Sequence, residues 1–305
     1  MQKIEGLIAA PFAPLSAKDE VMYDSIPAYY DFLELNKIVG AFINGSTGEG
    51  VSLTQKEKMK TVEAWTACSK EKKTVKVISL VGGTSYKECI ENAQHSAANG
   101  VDAIALLAPY YFKPAGAKQL AEFCALVAEA VPQMPVYFYH IPVLSGCYVN
   151  MVDFLQEAAP IIPNLAGIKY THEDFMDFLS CIHFMDGKYD LMWGRDENML
   201  SALVLGSRSA VGSTFNYAAP LYYQLIEAFD KGDLPLARKL QQMSIDMIRL
   251  LGKYGGIATG KAYMKYVGLD MGQFRLPVKN TWVENYEKFA DDVNSLNMQE
   301  FFSKL

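Results

Sequence analysis

Apolar positions along this chain follow two alternating patterns. Short runs of consecutive apolar residues are each followed by Gly, Ser, Thr or Pro, and then by segments with apolar residues every three or four positions. Continuous apolar runs indicate strands buried on both faces, and the longer spacing indicates amphipathic helices. The predicted strands span residues 6–15, 39–46, 76–81, 103–109, 135–141, 165–171, 189–194 and 207–213. The predicted helices between them span residues 23–35, 55–69, 86–99, 117–131, 153–159, 175–186, 198–205 and 220–230.

This alternation predicts an α/β fold, a (β/α)8 TIM barrel with a C-terminal helical extension. Eight strand–helix units within about 230 residues match that barrel. A doubly wound open sheet is the alternative, but it more often has five or six strands and a glycine-rich first turn. After residue 230 the alternation stops, and helices are predicted over 234–253, 259–268 and 281–295. The expected domains are a catalytic barrel, 1–230, and a helical appendage, 231–305.

Composition narrows the class of protein and its compartment. The 305 residues carry a net charge of −6, and no basic run has interleaved aromatic residues, so nucleic acid and anionic membranes are poor partners. No apolar run reaches the roughly 18 residues of a membrane-spanning helix, and the first residues lack a signal-peptide pattern. The scattered cysteines fit reduced thiols, so a cytoplasmic location is expected. They are Cys68, Cys89, Cys124, Cys147 and Cys181.

Lys169 is the most unusual residue of the predicted strands. It lies in the strand Leu-Ala-Gly-Ile-Lys-Tyr-Thr over residues 165–171. Burying an ammonium costs several kcal/mol unless it is paired or neutralised. A lysine that loses its proton readily is a nucleophile that forms Schiff bases with carbonyl compounds. The alternative is a lysine at a strand end whose ammonium reaches water.

The ends of the other predicted strands carry polar residues that a barrel brings to one mouth. After the second strand, the 45–50 loop offers the hydroxyls of Ser46 and Thr47, together with backbone N–H groups near a helix start. These donors suit a carboxylate ligand. A simple turn with a helix cap is the alternative interpretation, because Gly, Ser and Thr are ordinary turn and cap residues.

Strand alternation predicts which side chains share a face with Lys169. Gly167 and Thr171 should lie on its side of the strand, and the glycine is expected to leave room for the lysine stem. In the fifth strand Tyr137 and Tyr139 should point the same way. A phenol beside an ammonium is expected to have a lowered pKa and could relay protons. The alternative is a core aromatic residue with a satisfied hydroxyl.

Asp196 and Glu197 end the seventh predicted strand, just after Gly194. Adjacent carboxylates point in different directions, so they do not form a glycosidase-type acid/base pair. They could instead accept hydrogen bonds from the hydroxyls of a polyol. Acidic residues are also favoured in the first turn of a following helix, and this alternative stays open.

Two further patterns are not interpreted as sites. The segment 255–261 has the spacing of a phosphate-binding loop, but Ala262 replaces the metal-binding hydroxyl and no strand precedes it, so a helix start is predicted. The four histidines lack zinc-ligand spacing, and no metal site is indicated. His140 should face away from Tyr139, toward the helices, in a hydrogen-bonded structural role.

Taken together, three motifs resemble the pyruvate-dependent class I aldolase family that includes dihydrodipicolinate synthase and N-acetylneuraminate lyase. They are Gly45-Ser-Thr-Gly-Glu49, Tyr139-x-Ile-Pro142 and Gly167-Ile-Lys-x-Thr171. The resemblance covers nearly the whole chain. Gly194-x-Asp-Glu197 is similar to the segment with which the lyases hold sugar hydroxyls. Leu144 stands where dihydrodipicolinate synthases carry an arginine, and His140 and His172 depart from the residues common at their positions.

The resemblance implies a reaction and roles for individual residues. N-acetylneuraminate would be cleaved reversibly to N-acetyl-D-mannosamine and pyruvate, without a cofactor or metal. Lys169 would form the Schiff base and Tyr139 would transfer the proton. Ser46 and Thr47 would hold the pyruvate-derived carboxylate. The residues implied to position the sugar are Thr171, Gly194, Asp196, Glu197 and Ser213.

The resemblance also implies an assembly and leaves two other functions to test. Tyr111 matches a tyrosine that family members lend to a neighbouring subunit, which implies a homotetramer built as a dimer of dimers. The second enzyme hypothesis is a 2-keto-3-deoxy sugar acid aldolase or a dihydrodipicolinate synthase, with the same Schiff base and another acceptor. The third is a non-catalytic ligand-binding protein, which would require a lost catalytic residue.

Overall fold

A computed structural model describes residues 3–305, and its centre is a closed barrel of eight parallel strands. Each strand pairs with the next, and β8 returns to β1. This confirms the predicted TIM barrel. The strands are β1 (Gly6–Ala9), β2 (Gly40–Ile43), β3 (Lys76–Leu80), β4 (Ala103–Leu107), β5 (Val136–His140), β6 (Leu165–Tyr170), β7 (Asp190–Trp193) and β8 (Ser209–Gly212).

Helices surround the barrel and begin at the caps that the sequence supplies. Thr54 and Glu57 form a reciprocal capping box at the start of the second helix, and Asp174 caps the seventh. The helices around the barrel are α1 (Ile26–Leu35), α2 (Gln55–Lys72), α3 (Tyr86–Asn99), α4 (Ala117–Glu129), α5 (Pro142–Ser145), α6 (Met151–Ala158), α7 (Phe175–His183), α8 (Met199–Val204) and α9 (Phe215–Asp230). Within the described residues, no helix is long and apolar enough to cross a membrane.

The strands are shorter than the apolar runs that predicted them. β1 ends at Ala9, whereas the apolar run continues to residue 15. Pro11 and Pro14 interrupt that run, and proline has no N–H to donate to a sheet. The residues beyond β1 are nevertheless buried, with Phe12 at 2% exposure. An apolar run therefore reports burial here rather than strand length.

Helix α9 also begins earlier than predicted. It starts at Phe215, but Ala218 has φ −138° and ψ 33°, so the helix is kinked there. Pro220 lies just after the kink, where the predicted helix began. A proline cannot complete the hydrogen bonding of a continuous helix, and this accounts for two helical segments in one element.

The C-terminal extension, residues 231–305, contains three α-helices, of which the first two pack on α9 and the third packs on those two. They are α10 (Leu234–Tyr254), α11 (Thr259–Tyr266) and α12 (Tyr286–Ser295). Gln241 of α10 accepts a hydrogen bond from the Leu200 N–H and donates one to the Asp196 carbonyl. The extension thus reaches the loop after β7. The domain division at residues 230/231 stays a prediction.

The strand register places the reactive side chains at one height. Tyr139 of β5 pairs with Lys169 of β6, and Lys169 pairs with Met192 of β7. Tyr139 and Met192 belong to the buried cluster inside the barrel, whereas Tyr170 belongs to the cluster between strands and helices. Alternation along the strands therefore points Lys169 and Tyr139 into the barrel, as predicted.

Candidate active site

Lys169 lies inside the barrel with 4% of its surface exposed. Its Nζ is 4.1 Å from the ring centroids of both Phe42 and Tyr139. No salt bridge within residues 3–305 includes this lysine. Burial lowers the pKa of Lys169 to about 7, and the carboxylate of Asp196 partly opposes that shift. With that pKa, about half of the amine is unprotonated at neutral pH, so it is available as a nucleophile.

The environment of Tyr139 differs from the expectation in one respect. Burial raises the pKa of Tyr139 to about 12, and the nearby hydroxyls of Ser46 and Thr171 only partly offset this. The predicted lowering by a neighbouring ammonium is therefore wrong. Lys169 is itself only partly charged at neutral pH, and desolvation of the phenolate is the largest cause of the shift in the pKa of Tyr139. Tyr139 is a protonated phenol at neutral pH.

The 45–50 loop after β2 is closed on itself beside the barrel mouth. Gly50 N–H donates to the Gly45 carbonyl at 3.0 Å, and Glu49 N–H donates to the Ser46 carbonyl at 3.2 Å. A Cβ on Gly50 would lie 1.8 Å from the Asn44 carbonyl oxygen, so this loop requires glycine there. Ser46 is partly exposed and Thr47 is buried. The loop thereby holds the Ser46 hydroxyl near the phenol of Tyr139.

Thr171 and Gly194 lie side by side at the ends of β6 and β7. Gly194 N–H donates to the Tyr170 carbonyl, and a Cβ on Gly194 would lie 1.9 Å from Thr171 Oγ1. Within residues 3–305, Thr171 Oγ1 is buried and has no hydrogen-bond partner. Buried hydroxyls are normally satisfied, so this one is a candidate to bind a ligand group.

The structure gives a different reason for glycine at position 167 from the one expected. A Cβ at this position would lie 1.9 Å from the backbone oxygen of Asp190. The glycine is required because β6 and β7 approach closely below the lysine. The predicted reason, room for the stem of Lys169, is therefore not the one that the structure supports.

Asp196 is buried beneath the mouth and held by a residue of the β8 loop. Its Oδ2 accepts hydrogen bonds from the N–H and hydroxyl of Thr214, at 3.0 and 2.5 Å. Burial raises the pKa of Asp196 to about 6. A Cβ on Gly212 would lie 2.1 Å from its Oδ1, so that glycine makes space for the carboxylate. Thr214 was not among the predicted site residues; its place two residues after the glycine that ends β8 was the available signal.

Glu197 points away from Asp196, as expected for adjacent carboxylates. It forms an ion pair with Arg195 at 2.6 Å, and the same guanidinium contacts Glu173 at 3.1 Å. Its side chain is one-third exposed. Both residues also lie in a 3₁₀ turn, Asp196–Asn198, that leads into α8. The alternative helix-start interpretation therefore also describes their position.

Ser213 and Tyr111 lie toward the surface. Ser213 is partly exposed beside Thr214, and its carbonyl accepts the Asn216 amide at 2.8 Å. Tyr111 follows β4 and is 76% exposed, with its ring against Phe112, which is 86% exposed. The parallel barrel places these strand ends at the same mouth as Lys169, while Tyr111 projects to solvent.

His140 faces the helical layer, as predicted, and is 3% exposed. Its ring packs against Tyr170 at 5.0 Å and His172 at 5.6 Å between centroids. Burial lowers the pKa of His140 to about 3, with a further lowering by His172. It is therefore neutral at physiological pH, and its described contacts are aromatic.

Sequence reasoning missed a second buried lysine near this mouth. The predicted helix start at 255–261 is confirmed by a 3₁₀ turn, Gly256–Ala258, followed by α11. Lys261 of α11 pairs with Glu49 of the 45–50 loop at 2.8 Å.

Among the described residues, no group of three or more His, Cys, Asp or Glu side chains could hold a metal ion.

Comparison with known proteins gives concordant matches over nearly the whole chain. The Dihydrodipicolinate synthetase family matches residues 3–296. The chain is 36% identical to the human N-acetylneuraminate lyase, over 98% of this chain and 95% of that protein. The structure of the Proteus mirabilis N-acetylneuraminate lyase is similar with a TM-score of 0.93 and 36% identity, over 97% of this chain and 99% of that one.

A second solved structure, the N-acetylneuraminate lyase of Aliivibrio salmonicida, is similar with a TM-score of 0.94 and 34% identity. The alignment covers 97% of this chain and 98% of the Aliivibrio salmonicida chain. The family match, the sequence relatives and the solved structures agree with the motifs and the barrel. The chain belongs to the Dihydrodipicolinate synthetase family.

Proposed function

We propose that this protein is a Schiff-base aldolase that cleaves N-acetylneuraminate reversibly to N-acetyl-D-mannosamine and pyruvate. The observation that carries the proposal is the buried Lys169, whose amine lies 4.1 Å from the ring centroid of Tyr139. The similarity to N-acetylneuraminate lyases, at 36% identity over 98% of the chain, supports the substrate. Because Lys169, Tyr139 and the hydroxyls of Ser46 and Thr47 are all present, a non-catalytic role has no support.

Lys169 starts the reaction as a neutral amine. Its Nζ attacks the C2 carbonyl of the open-chain sugar acid, water leaves, and a protonated imine forms. When the C3–C4 bond breaks, its electron pair moves toward the imine and gives an enamine. The C4 hydroxyl becomes the aldehyde of N-acetylmannosamine. Protonation at C3 and hydrolysis then release pyruvate and regenerate the amine.

Tyr139 moves the proton of the C4 hydroxyl. Its pKa of about 12 means that the phenol is not a base at neutral pH. It can accept the C4 proton only as it passes its own proton on, and the substrate carboxylate is the nearest expected acceptor. In condensation the phenol donates to the aldehyde oxygen as negative charge develops there. The raised pKa thus favours a relay through the carboxylate.

The other strand ends hold the two halves of the substrate. Ser46 and Thr47 bind the carboxylate through their hydroxyls and the N–H groups of their loop. Asp196, with a pKa of about 6, is mostly ionised at neutral pH and accepts hydrogen bonds from sugar hydroxyls. The remaining residues of the sugar half are Thr171, Gly194, Glu197 and Ser213.

Substrate assays test this function directly. Purified protein incubated with N-acetylneuraminate should release pyruvate, and pyruvate with N-acetylmannosamine should regenerate the sugar acid. A panel of smaller aldehydes offered with pyruvate tests the alternative acceptors, including that of a 2-keto-3-deoxy sugar acid aldolase. If N-acetylmannosamine is inert while a smaller aldehyde condenses, the substrate assignment is wrong and the Schiff-base chemistry stands.

We further propose a homotetramer, a dimer of dimers, in which Tyr111 enters the site of a neighbouring subunit. Tyr111 and Phe112 form an exposed aromatic pair after β4, and such surfaces commonly mark subunit contacts. Sedimentation should give the tetramer mass. Mixed refolding of Lys169→Ala with Tyr111→Ala subunits should restore activity that each homomer lacks, because some sites then combine intact residues from both. No restoration would place Tyr111 outside the neighbouring site.

We propose the cytoplasm as the compartment. All five cysteines are free and buried, as is usual where thiols stay reduced. Fractionation of the native host, with activity measured in each fraction, tests this. Recovery of the activity outside the cytoplasmic fraction would contradict it.

A further inference from the structure

The ion pair between Glu49 and Lys261 joins two distant parts of the chain beneath the mouth of the barrel. The side chains are 2% and 0% exposed, and the Nζ–Oε1 distance is 2.8 Å. Lys261 Nζ also donates to the Gln273 carbonyl at 2.8 Å. The second carboxylate oxygen of Glu49 accepts the Arg275 N–H at 2.8 Å. Each charge is thus hydrogen-bonded from two sides.

A buried pair of this kind is weak evidence for stability, because desolvation of both charges offsets their attraction. Its clearest effect is on geometry. Glu49 belongs to the 45–50 loop, whereas Lys261, Gln273 and Arg275 belong to the C-terminal extension. The pair therefore fixes that loop to the extension at one point, in one orientation.

The 45–50 loop links the position of the Glu49 carboxylate to that of the Ser46 and Thr47 hydroxyls. Glu49 has a φ of 56°, a left-handed conformation that non-glycine residues adopt only when their surroundings hold them. Its N–H donates to the Ser46 carbonyl, three residues back, and Gly50 closes the loop onto Gly45. A shift of the Glu49 carboxylate therefore moves the peptide that carries the Ser46 hydroxyl.

We propose that Glu49 and Lys261 are positioning residues for the carboxylate-binding half of the site. They touch no reacting atom in this assignment and act through the 45–50 loop. The inference rests on the proposed function, since it assumes that Ser46 and Thr47 bind the carboxylate of pyruvate. It assigns the C-terminal extension an indirect part in substrate recognition, through the 45–50 loop. The sugar half of the site, on the β6, β7 and β8 loops, is independent of this pair.

Borohydride reduction of the pyruvate Schiff base gives a readout that needs no aldehyde acceptor. The fraction of protein trapped is measured against pyruvate concentration for wild type, Glu49→Gln, Lys261→Met and the double variant Glu49→Gln/Lys261→Met. Half-saturation by pyruvate should rise about tenfold in each variant, the change expected when a charge-assisted hydrogen bond to a carboxylate is misplaced. The double variant leaves no buried charge, so it tests the proposal even if Lys261→Met does not fold.

Condensation kinetics separate positioning from a general loss of structure. KM for pyruvate should rise by the same factor as half-saturation by pyruvate in the borohydride experiment. KM for N-acetylmannosamine should stay within about twofold of wild type, since different loops bind the aldehyde. Lys253→Met is the matched control: it removes an ion pair with Asp292 from the same extension, but at the surface, where Lys253 is 48% exposed. It should leave both constants unchanged.

Two results would overturn the proposal. One is an unchanged half-saturation by pyruvate in the folded Glu49→Gln or double variant. The other is an equal rise in both KM values, which would show a structural role alone. Failure of the proposed function gives a different result: wild type would then form the pyruvate adduct without cleaving N-acetylneuraminate, or would form no adduct.

Discussion

Two buried lysines close to the barrel mouth have opposite surroundings. Lys169 lies between the rings of Phe42 and Tyr139, and no salt bridge in residues 3–305 includes it. Lys261 bonds to a carboxylate and a carbonyl. Burial lowers the pKa of both; Asp196 opposes the shift of Lys169 by charge alone, whereas Glu49 opposes that of Lys261 by charge and by a direct hydrogen bond. The two buried lysines therefore differ in whether a carboxylate is bonded to the amine, and the amine proposed as the nucleophile is the one without that bond.

The largest effect should come from removing the unpaired lysine. Lys169→Met should lower the cleavage rate by about 10⁴-fold or more, since no other group can form the Schiff base. Its stability should change little, because an unpaired buried amine contributes no ion pair. The rate of pyruvate release measures the loss of cleavage, and thermal melting measures the stability. Retention of more than a trace of activity would show that Lys169 is not the nucleophile.

Tyr139→Phe separates the nucleophile from the proton relay. The variant should still trap pyruvate on Lys169, while cleavage falls by about 10²–10⁴-fold, the usual contribution of a positioned acid/base group. Adduct yield and turnover are measured on the same preparation. Equal loss of trapping and turnover would instead indicate that the phenyl ring shapes the lysine pocket.

For the paired lysine, we expect an effect on stability in addition to the effect on pyruvate binding. Lys261→Met leaves Glu49 buried without its partner and should destabilise the protein by about 3–5 kcal/mol in urea unfolding. The double variant Glu49→Gln/Lys261→Met should recover much of that loss. If the single variant is as stable as wild type, the pair is not desolvated as described, and the contrast with Lys169 fails.

The pH dependence gives a smaller test of the same contrast. With a pKa of about 7, Lys169 is protonated below that pH, so the rate of adduct formation should fall about tenfold per pH unit there and level off above it. The Asp196 carboxylate raises the pKa of Lys169, so Asp196→Asn should move the profile to lower pH. A profile that rises only near pH 10 would mean a fully solvated lysine.

Much of the fold was predictable because each strand–helix unit carries its own local signal. Parallel strands buried on both faces give continuous apolar runs, and the barrel closes from eight of them. Strand ends were less predictable. The run after β1 is equally apolar and buried, and only the prolines at 11 and 14 separate loop from strand.

The site was predictable where sequence neighbours define it, and not where tertiary burial does. Lys169 and Tyr139 followed from strand alternation and motif resemblance. The raised pKa of Tyr139 depends on desolvation by the whole barrel, which spacing does not report. Lys261 lies among the buried residues Thr259, Gly260, Ala262, Tyr263 and Met264. Lys261 therefore carries the same sequence signal as Lys169, a lysine among small and apolar residues.

The partner of Lys261 was beyond sequence reasoning. Glu49 lies 212 residues away in the chain, in a loop whose hydroxyls, and not its carboxylate, carried the sequence prediction. Contacts between the extension and the barrel depend on how the two pack, and neither local pattern nor spacing contains that information. Thr214 lies closer in the chain, in the loop after β8 and next to the β7 loop that carries Asp196, but spacing does not show that its hydroxyl donates to that carboxylate.

The most direct test of the central claim is reduction of the protein with borohydride in the presence of pyruvate, followed by peptide mapping. The buried, unpaired amine should carry the three-carbon adduct, so the modification should map to Lys169 alone, with Lys261 in the same digest as the internal control. An adduct on Lys261, or none on Lys169 in folded protein, would contradict the account.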